Sequence, residues 1–443
     1  MKIAKKTLEI SYKSQQYYLE KKYNLANSNR ILQPKETLEK IRPYFPTIGL
    51  TRLGNITGLD RVGVPVTIAI RPNSYSLTQS SGKSTSLEAA LVSAAMESIE
   101  LYCAENIQPE IIGTSYNQVQ ESFNVIALED LEFSQHTLFN RDHPEDWLIG
   151  WDIVNQEEVV VPHHLVSLDF RILNQLKCPY SFTMSSNGLA SGNHFLEALI
   201  SALYEVIERD SVSCHTEANF YGKKKIQIDL STVDNPEIQK LCQQLASKQL
   251  LPIVCDCTND IGVPVFEAFL CDLKSNTVSI SHGYGAHLNS HIAILRALTE
   301  AIQSRTIIIS GSRDDIFRDI YQANRFRYQS SLKHITKNNE LVKINYQNQT
   351  SQTFNEDILL LLDNLKKAGL NRVIVVDLSP TDVDIAVVKV IVPGLEGYHY
   401  YGYRPKQRSQ KFIAENCPLN FPIPNSYLPR QQEVNHRPAG GLF

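Results

Sequence analysis

The chain has 443 residues, 42% of them hydrophobic and 20% charged, a globular composition that excludes wholesale disorder. Forty-three basic residues against 47 acidic ones leave a net charge of −4, so the chain as a whole exerts no pull on nucleic acid. No apolar run approaches the ~20 residues of a membrane-spanning helix, and the opening MKIAKKTLEI has no apolar stretch of the kind a secretory signal requires, so a cytoplasmic location is expected.

Taken in chain order, residues 1–45 carry ten Lys/Arg against four Glu and read as a basic, polar helical segment. Such a segment is a solvated face or a contact surface for a peptide or partner. Residues 46–400 read as one large α/β (α+β) core of repeated units. The first unit is a strand, Val64-Pro-Val-Thr-Ile-Ala-Ile-Arg71, then a glycine-bearing turn, Ser80-Ser-Gly82-Lys83-Ser84, then an alanine-rich helix. Residues 107–175 read as an insertion, within which residues 147–154 and 157–161 flank Asn155-Gln156 as a hairpin. The second unit is a strand at 180–184, the turn Ser186-Asn-Gly188-Leu-Ala-Ser-Gly192-Asn193, and a helix. A helix over 236–248 and a strand over 251–255 follow. The third unit is a strand at 277–281, the turn Gly283-Tyr-Gly285-Ala-His287, and a helix; a further helix and strand span 356–368 and 372–376. A second echo, Asp60-Arg-Val-Gly-Val-Pro-Val66, Asp260-Ile-Gly-Val-Pro-Val265 and Asp382-Val-Asp-Ile-Ala-Val387, opens an apolar strand each time. Residues 401–443 are rich in Tyr, Pro and Arg with weak periodicity, and are expected to be ordered only by packing on the core or a partner.

The three alanine-rich helices share one pattern. Ser93-Ala-Ala-Met-Glu97-Ser-Ile-Glu100, Ser201-Ala-Leu-Tyr-Glu205-Val-Ile-Glu208 and Arg296-Ala-Leu-Thr-Glu300-Ala-Ile-Gln303 repeat polar-Ala-x-x-Glu-x-Ile-(Glu/Gln). At 100° per residue the polar positions, joined by Glu197, fall on one face of each otherwise apolar helix. Buried carboxylates are costly unless paired, protonated or bound to metal. One such helix is explained by ion pairs to Arg209, Arg296 or Arg305. Three equivalent helices bring Glu97, Glu100, Glu197, Glu205, Glu208 and Glu300 together with few basic residues on the same faces. That points to hard divalent cations, which take oxygen ligands and bridge phosphates; with glycine turns offering N–H groups, it points to Mg²⁺ with a nucleotide.

Other motifs carry less. Gly82-Lys83-Ser84 resembles the end of a phosphate loop, but Leu77 stands where that motif needs glycine; Lys83 is a phosphate contact or a surface lysine. The eight cysteines show no CxxC pair, and Cys255-x-Cys257 is too tight for a zinc knuckle, so reduced buried thiols are expected. His163-His164 and Cys214-His215 read as structural.

The Gly82-Lys83 block with Ser93, Glu97 and Glu100, the Ser186–Asn193 block leading to Glu205-Val-Ile-Glu-Arg209, and Arg296-Ala-Leu-Thr-Glu-Ala-Ile-Gln-Ser-Arg305 resemble the signature blocks of the YcaO family. The resemblance covers roughly residues 35–400 and lies nearest YcaO proteins accompanied by a TfuA-like partner. It implies an ATP- and Mg²⁺-dependent enzyme that phosphorylates the oxygen of a peptide-backbone amide so that a nucleophile can replace it, giving an azoline, a thioamide or an amidine. By position, Glu97, Glu100, Asn193, Glu197, Glu205 and Glu208 match the family's Mg-ATP residues, with Glu97, Glu100, Glu205 and Glu208 as metal ligands. Ser93, Arg209, Glu300 and Gln303 match the same blocks. The first block usually ends Glu-Arg, whereas here Leu101 follows Glu100. Many azoline-forming members end in Pro-x-Pro-x-Pro, whereas this chain ends Arg437-Pro-Ala-Gly-Gly-Leu-Phe443, so the resemblance favours thioamidation or another backbone change in a ribosomal peptide or protein over azoline formation. A separate protein is expected to deliver the peptide or the sulfur, and a homodimer is the expected assembly. Two other classes fit the residues: a non-catalytic accessory protein of a modifying complex, such as a methylthiotransferase accessory factor, and a carboxylate-metal hydrolase that works without nucleotide.

Overall fold

The structure is a computed structural model that describes residues 9–18, 22–25, 28–134, 137, 139–171, 181–274, 278–316, 341–397 and 405–417. It opens with two small hairpins, β1 (Ile10–Tyr12) with β2 (Gln15–Tyr17) and β3 (Tyr23–Leu25) with β4 (Ser28–Arg30). The expected basic helix over 1–45 is therefore corrected. Among the described residues of that stretch the α-helix is α1 (Pro34–Ile41). Short polar strands with Tyr and Ile on their inner positions form instead. Ile10 and Tyr12 are 4% and 5% exposed, and Tyr12 and Tyr17 pack on Phe195.

The first unit of the core is a three-stranded sheet, β5 (Arg52–Asn55), β6 (Val66–Ile70) and β7 (Gln79–Lys83), followed by α2 (Leu87–Asn106). A six-stranded sheet runs β10–β9–β17–β18–β11, with β8 pairing β9. Its strands are β8 (Ile111–Ser115), β9 (Pro144–Asp152), β10 (Glu157–Pro162), β11 (Leu189–Gly192), β17 (Ile374–Asp377) and β18 (Ala386–Ile391). The hairpin read at 147–161 is β9–β10, and β9 pairs onward with β17 through Ile374 and Val375. The segment 107–175 thus contributes strands to the sheet of the core.

Alternation along β17 and β18 covers this sheet on both faces. Val375, Val388 and Val390 pack with α3 (Phe195–Phe220) and α6 (Phe354–Lys367), whereas Ile374, Val376 and Val387 pack with α2. The second large sheet runs β15–β14–β13–β12–β16: β12 (Ile226–Ile228), β13 (Leu250–Asp256), β14 (Val265–Asp272), β15 (Ile280–Ala286) and β16 (Leu341–Val342). One face of it is covered by α4 (Pro236–Ser247) and α5 (Ser290–Ser310). The last helix among the described residues, α7 (Gln407–Asn416), packs on α3.

The glycine segments are largely strands; a turn is found at Ser186–Leu189, where Leu189 N donates to the Ser186 carbonyl at 2.8 Å and Gly188 has φ 79°. Gln79–Lys83, Leu189–Gly192 and Ile280–Ala286 are β7, β11 and β15, each leading into α2, α3 or α5. The strands expected at 180–184 and 277–281 differ accordingly. Phe182 makes a single bridge to Phe133, β15 begins at Ile280, and Tyr180 and Thr277 lie outside the described residues. The glycines serve helix packing. A β-carbon on Gly82 would lie 2.0 Å from the Ala90 carbonyl oxygen, on Gly192 2.6 Å from the Ala198 nitrogen, on Gly283 2.3 Å from the Ala301 nitrogen, and on Gly285 2.1 Å from the Ala293 oxygen. Glycine on the strand against alanine on the helix lets the two backbones touch, and this contact is the common core of the three units.

Candidate functional site

Close helix–strand contact brings the helix carboxylates within reach of strand N–H groups. Ser81 N donates to Glu97 Oε2 at 2.8 Å, Tyr284 N to Glu300 Oε1 at 3.2 Å, and both Ser191 N and Ser191 Oγ to Glu100 Oε1 at 2.7 and 2.6 Å. Each of these serines and tyrosines is the neighbour in sequence of one of the packing glycines. Each glycine segment therefore presents an N–H group to one of the protein's own carboxylates.

These side chains open on one cavity of about 820 Å³, lined by Ser93, Glu97, Glu100, Asn193, Glu197, Glu205, Glu208, Arg209, Glu300 and Gln303, so every site residue read from the sequence meets there. Lys83, Arg30, Arg296 and Arg313 supply the cationic wall. Lys83 Nζ donates to Glu300 Oε2 at 2.7 Å, so it is a partner of the acidic face rather than a plain surface lysine. Gln303 Nε2 donates to Ser81 Oγ at 2.8 Å, and Asn193 Nδ2 to Thr37 Oγ1 at 3.0 Å. Glu197 accepts from Ile31 N at 3.1 Å and faces Arg30 at 3.5 Å. Of the arginines expected to neutralise the acidic faces, Arg209 lies 3.6 Å from Glu208 and over the Tyr284 ring. Arg305 instead pairs with Asp60 and Asp272. Arg30 and Arg313, outside the repeated pattern, were legible only through the fold.

The carboxylates are not electrostatically alike. Burial, reinforced by Glu97 and Glu205 and opposed by Ser191, pushes Glu100 up to about 8. Burial, opposed by Arg209, pushes Glu205 up to about 7. Burial also raises Glu97, Glu197 and Glu208. Glu300 goes the other way: burial disfavours its charge, but Lys83 and Arg209 outweigh it and hold the group at about 2. Carboxyl groups whose charge is disfavoured by burial are suited to receiving a cation, which offsets that cost.

Several atoms are left for a ligand. Glu97 Oε1 and Glu100 Oε2 carry no hydrogen bond among the described residues. Arg296 Nε and Asn193 Oδ1 are buried without a hydrogen-bond partner. An idle guanidinium N–H fits a phosphate oxygen, and idle carboxylate oxygens fit Mg²⁺. Among the described residues no three His, Cys, Asp or Glu side chains converge as a ready metal cage. Mg²⁺ does not require one, since it keeps waters and binds through one or two carboxylates plus phosphate oxygens.

The other motifs are structural. Cys103, Cys214, Cys255, Cys257 and Cys271 are buried and unbridged; Cys178 lies outside the described residues. Burial pushes the Cys214 thiol well up and holds His215 down to about 3, so the neighbouring pair has neither thiolate nor base. His163 Nε2 meets the Ile107 carbonyl at 3.0 Å. No helix among the described residues is long and apolar enough to cross a membrane.

Comparison with known proteins agrees with this geometry. The sequence model of the YcaO cyclodehydratase family, described as ATP- and Mg²⁺-binding, matches residues 81–396. A protein from the tfuA 3′ region of Rhizobium leguminosarum bv. trifolii is 32% identical over 380 residues, 83% of this chain and 89% of that one. The structure of YcaO from Methanopyrus kandleri, bound with AMPPCP and Mg²⁺, superposes with a TM-score of 0.68 at 25% identity, covering 88% of this chain and 95% of that one. A heterocyclase solved in complex with substrate and cofactor shares the fold, with a TM-score of 0.70 at 22% identity; the match covers 85% of this chain and 55% of the heterocyclase chain. The chain belongs to the YcaO family of cyclodehydratases, and its cofactors are ATP and Mg²⁺.

Proposed function

We propose that this protein uses ATP and Mg²⁺ to phosphorylate the oxygen of a backbone amide in a ribosomal peptide or protein, so that a nucleophile takes the oxygen's place. A sulfide equivalent would give a thioamide and a Cys, Ser or Thr side chain an azoline; the thioamide is the product we favour. The observation that carries this reading is the convergence of three helices' carboxylates on one cavity, which is also lined by Arg296 with its idle N–H. When bound, the nucleotide supplies a phosphoryl group that converts a poor oxide leaving group into phosphate.

The chain's own residues would divide the work. Glu97, Glu100, Glu205 and Glu208 hold Mg²⁺, with Glu97 and Glu100 steadied by the strand N–H groups that each already accepts. Ser93, Asn193, Glu197, Arg209, Glu300 and Gln303 bind the nucleotide, and Arg296 offers its buried N–H to phosphate. Lys83, held by Glu300, adds positive charge on the same wall. Leu101, in the place of the family's arginine, lines this cavity and is 8% exposed; Arg209, Arg296 and Lys83 supply the cationic density there instead. The relative from a tfuA 3′ region supports a TfuA-like protein as the partner.

Glu205→Gln tests the assignment. It is expected to lower Mg-dependent ATP turnover at least 100-fold while the circular dichroism spectrum stays that of the wild type. Unchanged turnover would refute it. In a co-expressed peptide, replacement of oxygen by sulfur marks a thioamide and loss of water marks an azoline.

A further inference from the structure

A second cavity of about 340 Å³ adjoins the acidic one and shares Ser185 and Asn187 with it. Its most unusual feature is Lys389, in the middle of β18 between Val388 and Val390 and 3% exposed. A lysine ammonium has three donors. Lys389 spends one on the Ser185 carbonyl, and among the described residues no carboxylate lies within ion-pair distance of it. Glu205 supplies only longer-range attraction, and burial lowers the amine to about 8. A buried cation without a counter-charge is expensive, and a fold retains one where something else completes it.

The opposite chemistry lies beside it. Asn187 Oδ1 is buried and accepts no hydrogen bond. The boundary between the two cavities thus offers unspent N–H donors from Lys389 and an unspent acceptor from Asn187. An amide presents one carbonyl and one N–H, the complement of that pair. A phosphate would have no use for the Asn187 oxygen, nor for the Asp130 and Glu132 carboxylates that also line the smaller cavity. Val206, Val390 and Val392 give the cavity an apolar wall that suits side chains flanking the amide.

We propose that the smaller cavity seats the substrate's peptide backbone, with Lys389 donating to the carbonyl of an amide and Asn187 accepting from an N–H, so that this amide borders the acidic cavity. The inference rests on the proposed peptide-modifying function, and the experiment separates the two.

The full-length protein, with Mg²⁺ and AMPPCP, is irradiated with a pool of N-acetylated, C-amidated pentapeptides of random sequence carrying a central photoreactive benzoylphenylalanine. Crosslinks are mapped by mass spectrometry, and nucleotide affinity is measured separately by calorimetry. Wild type is expected to be labelled at Leu131, Met184 or Val392. Lys389→Met is expected to lose at least tenfold of that labelling while nucleotide affinity stays within twofold, and Lys389→Arg is expected to recover part of it. Should Lys389→Met fail to fold, Thr183→Trp, which narrows the same cavity from a partly exposed loop position, is expected to give the same loss with Lys389 in place. Labelling absent from this cavity in wild type, or undiminished in the variants, would overturn the proposal. Labelling of the cavity by a protein that binds no nucleotide would uphold the seat and refute the ATP-dependent function.

Discussion

Glu100 and Glu300 show how far one residue type can be divided by its surroundings. Both open on the same cavity, and both accept an N–H from a strand. Glu300 also faces Lys83 and is held at about 2; Glu100 has no cation at that range and is pushed up to about 8. The sign of the linkage follows. A carboxyl with a raised pKa contributes stability that is complete below its unfolded value of 4.5 and is lost as pH rises through about 8. Without nucleotide, Glu100→Gln keeps the Oε1 acceptor for Ser191 and removes the titration. It is therefore expected to raise the thermal midpoint by a few degrees at pH 8.5 and to leave it unchanged at pH 4. Midpoints measured by calorimetry at both pH values check this. A variant that melts like wild type at pH 8.5 would mean that burial does not raise Glu100.

At the scale of elements, the strand–helix unit depends on glycine. Gly82→Ala or Gly285→Ala would set a β-carbon 2.0 or 2.1 Å from a helix carbonyl, where neither backbone can yield cheaply. A loss of about 3 kcal/mol or more is expected, or no soluble protein. Gly58→Ala, with nothing within 4 Å, should change stability by less than about 0.5 kcal/mol. Urea unfolding of the three variants decides this. The same unit explains what could be read from the chain. The three helices and their acidic faces were visible because Ala, Glu and Ile recur at helical spacing. The hairpin β9–β10 was visible because apolar runs flank a polar turn. The glycine strands were not: Gln79-Ser-Ser-Gly-Lys83 and Leu189-Ala-Ser-Gly192 have the composition of turns, and only pairing to β6 and β18 makes them strands. The β1–β2 hairpin was missed because its turn uses Lys13 at φ 52 rather than a glycine or asparagine signal. Of the cationic wall, Arg30 and Arg313 were missed because they stand far in sequence from the carboxylates they face, Glu197 and Glu97.

Across the whole molecule, α3 ties the site to α7. It carries Glu197, Glu205 and Glu208, and Asp210, fully buried two residues on, accepts both Nε and Nη2 of Arg408 from α7 at 2.9 Å. Asp210 also accepts from Glu396 N at 2.9 Å and Asn259 Nδ2 at 2.8 Å, and Arg408 reaches Asp260 at 2.6 Å. Arg408→Ala would leave Asp210 with its two remaining donors and no counter-charge. It should cost about 2–4 kcal/mol, against less than about 0.5 for Lys367→Ala, whose pair with Asp363 is exposed. Equilibrium unfolding of both variants measures the difference; equal losses would show that α7 contributes nothing to holding α3. The glycine seats have a consequence for descent as well. Any coding change at Gly82, Gly192, Gly283 or Gly285 adds a β-carbon where an opposing helix already stands, so drift finds no neutral step at these positions.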